Sequence, residues 1–346
     1  MKKNRNSSVL GIQNIRNLIS LPSVYFFLLK NVLNQKRFIK NVIENELTAF
    51  KSNNDGSLTP EDFKKITRYY GLGVPGILGE LFCLLRGKKM AKDERFCLTF
   101  LGGISGLLDD LFDDPKKQAG HLEEFILEPE SLKPMNSYEA LLLHFYLLGL
   151  KHSANPELLK NQALQVYKSQ QESENQQNFG NSTQEIQDIT YAKGGASFIF
   201  YRLCLNNPLQ GKERELLTHL GGLMQLGNDI FDVWEDYYSQ TKTAATLCSD
   251  ISELRNKFKN EIYLIFKLAR ETDFPKKRVE VFLQNTALAL SRVLVCLDQF
   301  EKLQKTTGNQ FTIEKYSREE LICDMQKAKN QLKAIKYALN LFPQKY

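Results

Sequence analysis

Apolar positions recur at helical spacing along almost the whole chain. The segments "FIKNVIENELTAF" (38–50), "YEALLLHFYLLGL" (138–150) and "EIYLIFKLA" (261–269) each place them on one side of a 3.6-residue period. "VEVFLQNTALALSRVLVCLDQFEKL" (279–303) predicts a long, largely buried helix by the same test. No segment alternates with period two, no unit repeats, and no Gly/Ser linker divides the chain. The pattern predicts an all-α protein with one helical domain over 51–346, preceded by a basic helical extension over 1–50. The Gln/Asn/Ser-rich stretch at 168–185 predicts a mobile loop.

One turn-like segment could be mistaken for a cation loop. In "KSNNDGSLTPEDF" (51–63), taking Gly56 as the turn glycine puts Lys51 at the first ligand position and Asp62 where Glu is required, so calcium is excluded. The residues instead predict a helix start: Thr59 as N-cap, Pro60 at the first helical position, and Glu61 and Asp62 complementing the dipole.

Composition narrows the class. With 42% hydrophobic and 25% charged residues over 346 positions, the chain reads as globular with a sizeable core. A net charge of +6 without a basic, aromatic-interleaved stripe argues against nucleic acid as partner. Six scattered cysteines and four histidines form no metal-spaced pair, which predicts reduced core thiols and a cytoplasmic location. No transmembrane segment is expected. The first 40 residues carry eight Lys or Arg and no acid around "LPSVYFFLLKNVL", which leaves weak peripheral membrane contact open.

Two acidic motifs break the bland pattern. In "RFCLTFLGGISGLLDDLFDDPKK" (95–117), read as one helix ended by Pro115, Asp109 and Asp113 stand at i,i+4 and Asp110 and Asp114 form a second such pair. Like charges at that spacing, beside the negative end of the helix dipole, oppose the helix. A hard divalent cation relieves them, because Mg²⁺ takes one or two carboxylates and leaves positions for phosphate oxygens. Gly106 and Gly102 on the same face predict room for a ligand. In "GLMQLGNDIFDVWEDYY" (222–238), Asn228, Asp232 and Asp236 stand at i, i+4 and i+8, one amide and two carboxylates along a ridge. Asp229 and Glu235 lie off that ridge.

These residues resemble the class I isoprenoid synthases. "DDLFD" (109–113) is similar to the first aspartate-rich motif of that superfamily, and Asn228, Asp232 and Asp236 resemble the second metal-binding triad of terpene cyclases. "QLGNDIFDVWED" is also similar to the corresponding run of squalene and phytoene synthases. The resemblance implies a single-domain helical bundle with a central active-site cavity. It implies a Mg²⁺-dependent cyclase that ionises an allylic prenyl diphosphate, with Asp109, Asp110, Asp113, Asn228, Asp232 and Asp236 holding three Mg²⁺ ions beside the diphosphate. Asp109, Asp113, Asn228, Asp232 and Asp236 are its catalytic set. Lys193, Lys242 and the pair Lys315–Tyr316 correspond to diphosphate-binding positions. Gly194 and Gly195, after Lys193, are expected to break their helix toward the substrate. Phe82, Phe100, Phe198, Tyr201 and Trp234, with Gly106 and Gly194, are the candidate pocket residues. A trans-prenyl diphosphate synthase, a squalene-type coupling enzyme and a non-catalytic helical binding protein are the alternatives. Elongation is disfavoured because "RGKK" (86–89) stands too close to Asp109 to serve a second diphosphate. The prenyl diphosphate is the expected partner, and a homodimer stays open.

Overall fold

The computed structural model describes residues 6–113, 122–177 and 182–342. Helices account for the regular structure and no strand occurs among the described residues, so the all-α expectation holds. Chain contacts gather into two compact units. One comprises 1–24, 172–198 and 210–346, and the other 25–171 and 199–209.

In the larger-numbered unit, the long apolar segment forms the helix Lys276–Thr306. It packs against Ile251–Arg270, Ala328–Leu341 and Glu213–Phe231. Leu283, Ala287, Leu290, Leu294, Leu297 and Phe300 are buried along it. By length and composition alone this helix could cross a membrane, which the sequence reading did not expect of any segment. However, 72% of its most apolar window is covered inside the fold, so it is a core helix.

In the other unit, Lys92–Gly103 packs on Ser137–Lys151 around Leu98, Leu101, Leu141 and Phe145. Phe100 meets Phe145 edge-on at 5.1 Å between ring centroids. Arg86 and Glu94 form a buried ion pair there. Glu94 accepts from Arg86 Nη1 and Nη2 at 2.6 and 2.8 Å, and from the backbone N–H groups of Ala91 and Asn206 at 2.7 Å each. The expected cap at Thr59 is present: the Asp62 N–H donates to Thr59 Oγ1, and the Thr59 N–H donates to Asp62 Oδ2 at 2.7 Å.

One expectation about local order is corrected. Residues 168–173 continue the helix Pro156–Ser173 and 174–177 form a 3₁₀ turn; residues 178–181 of the expected loop lie outside the described residues. Gln176 is buried, and its backbone oxygen accepts from the Lys242 N–H while its Nε2 donates to the Lys242 oxygen. Five of the six cysteines are buried and all six are free thiols, in line with the core role expected of them.

Candidate functional site

The first motif begins differently from its sequence reading. The helix Lys92–Gly103 ends at Ile104, and a new helix, Ser105–Asp113, carries the aspartates. Gly102 therefore belongs to the preceding helix. Room beside the glycines is already taken. A Cβ on Gly106 would run into the Tyr70 ring, and one on Gly102 into Val74. The glycines serve close packing, because the expected ligand space is filled by this chain's own side chains.

Asp109 and Asp110 are half-buried at the end of that helix. Asp110 is ion-paired with Lys65, which opens the turn Lys65–Tyr69. A lysine 45 positions away in sequence thus supplies the charge that the helix lacks. The Asp113 backbone closes the helix, and its side chain lies outside the described residues, as do Asp114, Pro115, Lys116 and Lys117. Nearby, Tyr201 donates its hydroxyl to Ser105 Oγ at 2.9 Å. Tyr138 donates to the Leu107 oxygen. Burial, with Asp110 and Asp109 adding negative charge, pushes the Tyr138 hydroxyl far above its ordinary pKa, so it stays a donor. Phe82 and Phe100 are core residues at 1% and 2% exposure.

The second motif spans the helices Glu213–Phe231 and Val233–Tyr238, with Asp232 at the junction. The junction leaves the ridge intact. The Asp232 N–H donates to the Asn228 oxygen and the Asp236 N–H to the Asp232 oxygen, both at 2.9 Å, so the four-residue spacing persists. Asn228 is exposed, while Asp232 and Asp236 are half-buried. Asn228 Nδ2 donates to Asp232 Oδ2 at 2.8 Å.

Asp229, which sequence reasoning put off the ridge, is the most buried acid of the motif at 5% exposure. Gln225 Nε2 donates to its Oδ1 at 2.9 Å, and Thr190 Oγ1 donates to its Oδ2 at 3.3 Å. The signal was present in the sequence: Gln225 precedes Asp229 by one helical turn, between the apolar Leu226 and Ile230. Burial pushes the Asp229 carboxyl up to about 6, against the pull of Gln225 and Lys193. Asp236 is pushed up to about 7, first by burial and then by Asp229 and Asp232, with Lys193 opposing. Asp232 is raised by burial and by Glu235. Lys193 is half-buried, and its charge draws Asp229 and Asp236 downward.

Its two following glycines do not break their helix. Thr183–Leu203 is continuous. A Cβ on Gly194 would strike the Gly221 backbone, one on Gly221 would strike Gly194, and one on Gly222 would strike the Tyr191 ring. Two helix backbones touch there, which only glycine allows. That contact fixes the crossing that presents Lys193 to the acids.

The other candidates separate. Tyr316 is buried, its hydroxyl shares a hydrogen bond with Thr307 Oγ1, and its ring packs on Phe311 at 5.3 Å. Lys315 is exposed. From the same segment it is Arg318 that reaches the second motif, donating to Glu235 Oε1 at 3.0 Å. Tyr237 adds a second tie, to Glu314 at 3.3 Å. Lys242 is half-buried, held through its backbone by Gln176. Trp234 packs against Tyr238 at 4.2 Å, and Phe198 is half-buried.

Among the described residues, no group of three or more His, Cys, Asp or Glu converges closely enough to form a ready cation cage. The donor chemistry of the ridge nevertheless fits a hard divalent ion: one amide and two carboxylates, with a third carboxylate alongside, all short of compensating positive charge. No family model matches the chain, and neither a curated protein nor a solved structure does.

Proposed function

We propose that this protein is a Mg²⁺-dependent class I terpene cyclase, which ionises a linear allylic prenyl diphosphate and releases diphosphate together with a terpene hydrocarbon or alcohol. The observation that carries the reading is the acid-rich ridge of Asn228, Asp232 and Asp236, with Asp229 buried beside it and Lys193 acting on Asp229 and Asp236. Acids forced toward protonation by burial and by one another describe a place where positive charge is missing. Asn228, Asp232 and Asp236 would hold Mg²⁺, and Asp229 would keep the ridge oriented through Gln225 and Thr190.

Bound Mg²⁺ would stabilise the negative charge that develops on the departing diphosphate oxygen. Lys193 binds that diphosphate in this reading, and its fixed position is set by the glycine crossing of its helix. The allylic C–O bond breaks with its electron pair leaving on oxygen, so no protein nucleophile is needed. Apolar and aromatic side chains then keep water from the cation while it cyclises, with Phe198 and Trp234 as the half-buried candidates. Loss of a proton to solvent or diphosphate then gives a hydrocarbon, or final capture of water with loss of a proton gives an alcohol. Asp110 is ion-paired with Lys65, which leaves Asp109 and Asp113 as the acids of the first motif that the proposal assigns to the step.

Incubation with geranyl, farnesyl and geranylgeranyl diphosphate, with and without isopentenyl diphosphate, tests this. Neutral hydrocarbons or alcohols from one allylic substrate support cyclisation. Longer diphosphates formed only with isopentenyl diphosphate would replace it by chain elongation. No Mg²⁺-dependent diphosphate release from any of them would replace it by a binding role.

A further inference from the structure

The helix Asn6–Phe38 shows two opposed faces along the part that belongs to the unit of residues 25–171. Its inner face is anchored. Asn31 and Gln35 are buried; Gln35 donates to the Gly71 oxygen at 2.9 Å and to Thr99 at 3.0 Å, and accepts from Arg95 at 2.8 Å. These bonds set which side of the helix faces outward.

That outward side is apolar. Phe26 is 68% exposed, Leu29 60%, Leu33 44% and Tyr25 43%. On a regular helix these four positions fall within an arc of about 100°. A soluble surface rarely leaves such a stripe in water without a use for it. Lys30 and Arg37 lie along one edge of the arc, and Lys36 and Lys40 continue it one and two turns onward; all four are exposed. No acid occurs before Glu44.

We propose that this face is a docking surface for an anionic lipid bilayer. The aromatic and leucine side chains would enter the headgroup–acyl boundary while the lysines and arginine meet lipid phosphates. Charge decides against a second copy of the chain as the occupant. A two-fold contact lays the same patch on itself, so cations would face cations with no acid in the stripe to answer them. This inference is independent of the cyclase reading.

The test is flotation of the full chain with vesicles of phosphatidylcholine alone and of phosphatidylcholine with phosphatidylglycerol. The protein should float with the anionic vesicles, not with the neutral ones, and release as salt is raised. Phe26→Ser/Leu29→Ser and, separately, Lys30→Glu/Arg37→Glu should each lower the partition coefficient by about tenfold or more. Leu332→Ser, at an equally exposed leucine elsewhere, should leave it unchanged. Circular dichroism melting checks that each variant keeps its fold. Failure of the wild type to float with anionic vesicles, or equal flotation of the Phe26→Ser/Leu29→Ser variant, would overturn the proposal. So would a wild-type dimer in sedimentation velocity that the same double substitution reduces to monomer.

Discussion

Asn228 donates its side-chain amide to the Asp232 carboxylate at 2.8 Å, one helical turn further on. The bond counters part of the upward push that burial and Glu235 exert on Asp232. It also places the amide nitrogen on the ridge, so the amide must turn to offer its oxygen to a cation. Asn228→Asp should then retain cation binding but lose this bond, while Asn228→Ala should lose both. Diphosphate release measured at increasing Mg²⁺ should show Asn228→Asp needing more metal and Asn228→Ala losing most turnover at any metal level. Turnover of Asn228→Ala within about threefold of wild type would remove Asn228 from the catalytic set, since loss of such a contact costs several kcal/mol in the transition state.

Asp229 makes stability depend on pH in a direction opposite to that of a salt-bridged acid. Its carboxyl is pushed from an ordinary 3.8 up to about 6, so between those values the folded chain holds a proton that the unfolded chain has released. Its contribution to stability is therefore present at low pH and is lost as pH rises through about 6. The displacement corresponds to about 3 kcal/mol. Asp236, pushed up to about 7, acts in the same direction. Urea unfolding without metal at pH 5 and pH 8 should show a loss toward pH 8 that is smaller in Asp229→Asn, whose neutral amide cannot ionise. An unchanged pH difference in that variant would show that Asp229 does not carry it.

Glu94 has the opposite sign. Burial alone would raise its carboxyl, but the Arg86 bonds and the two backbone donors outweigh burial and hold it below the usual carboxylate range. Its contribution is present above the unfolded value and lost as pH falls through the lowered one. Glu94→Gln would leave a buried guanidinium without its counter-charge, at a cost of about 3–5 kcal/mol. Thermal melting at neutral pH should show a large drop; a change of less than about 1 kcal/mol would mean that the Arg86 charge finds another partner.

The Gly194–Gly221 crossing predicts a third, purely steric effect. Gly194→Ala and Gly221→Ala each put a methyl group against facing backbone, which cannot yield as a side-chain tip would. Each should destabilise by about 1–3 kcal/mol or more. Because both act on one contact, the double variant should cost less than the sum. Strict additivity in urea unfolding would mean that the two glycines do not share the crossing.

What the sequence disclosed follows how local its cause is. The long buried helix, the Thr59 cap and the four-residue ridge are written in spacing within one or two turns, and all are present. The break at Ile104 is not: glycine and isoleucine there fit a continuous helix as well as a bend, and packing of Tyr70 and Val74 on the glycines decides. Continuity through Gly194 likewise has a non-local cause, because the partner glycine lies on another helix. The Lys65–Asp110 and Arg318–Glu235 pairs join residues 45 and 83 positions apart, where no periodicity points. Tyr316 adjoins Lys315 in sequence, but its hydroxyl bonds to Thr307, nine positions back.

Thermal unfolding with Mg²⁺ alone, pyrophosphate alone and both together tests most directly whether the two acidic motifs act on one metal-bound diphosphate. A ligand that binds only the folded state raises the melting temperature by mass action. Mg²⁺ alone should shift it little, because the coordination it needs is completed by phosphate oxygens rather than by a closed set of protein ligands. Both together should raise it well beyond the sum of the separate shifts in the wild type, and only additively in Asp109→Asn and in Asp232→Ala. Full synergy retained in Asp232→Ala, or an additive response in the wild type, would contradict the account.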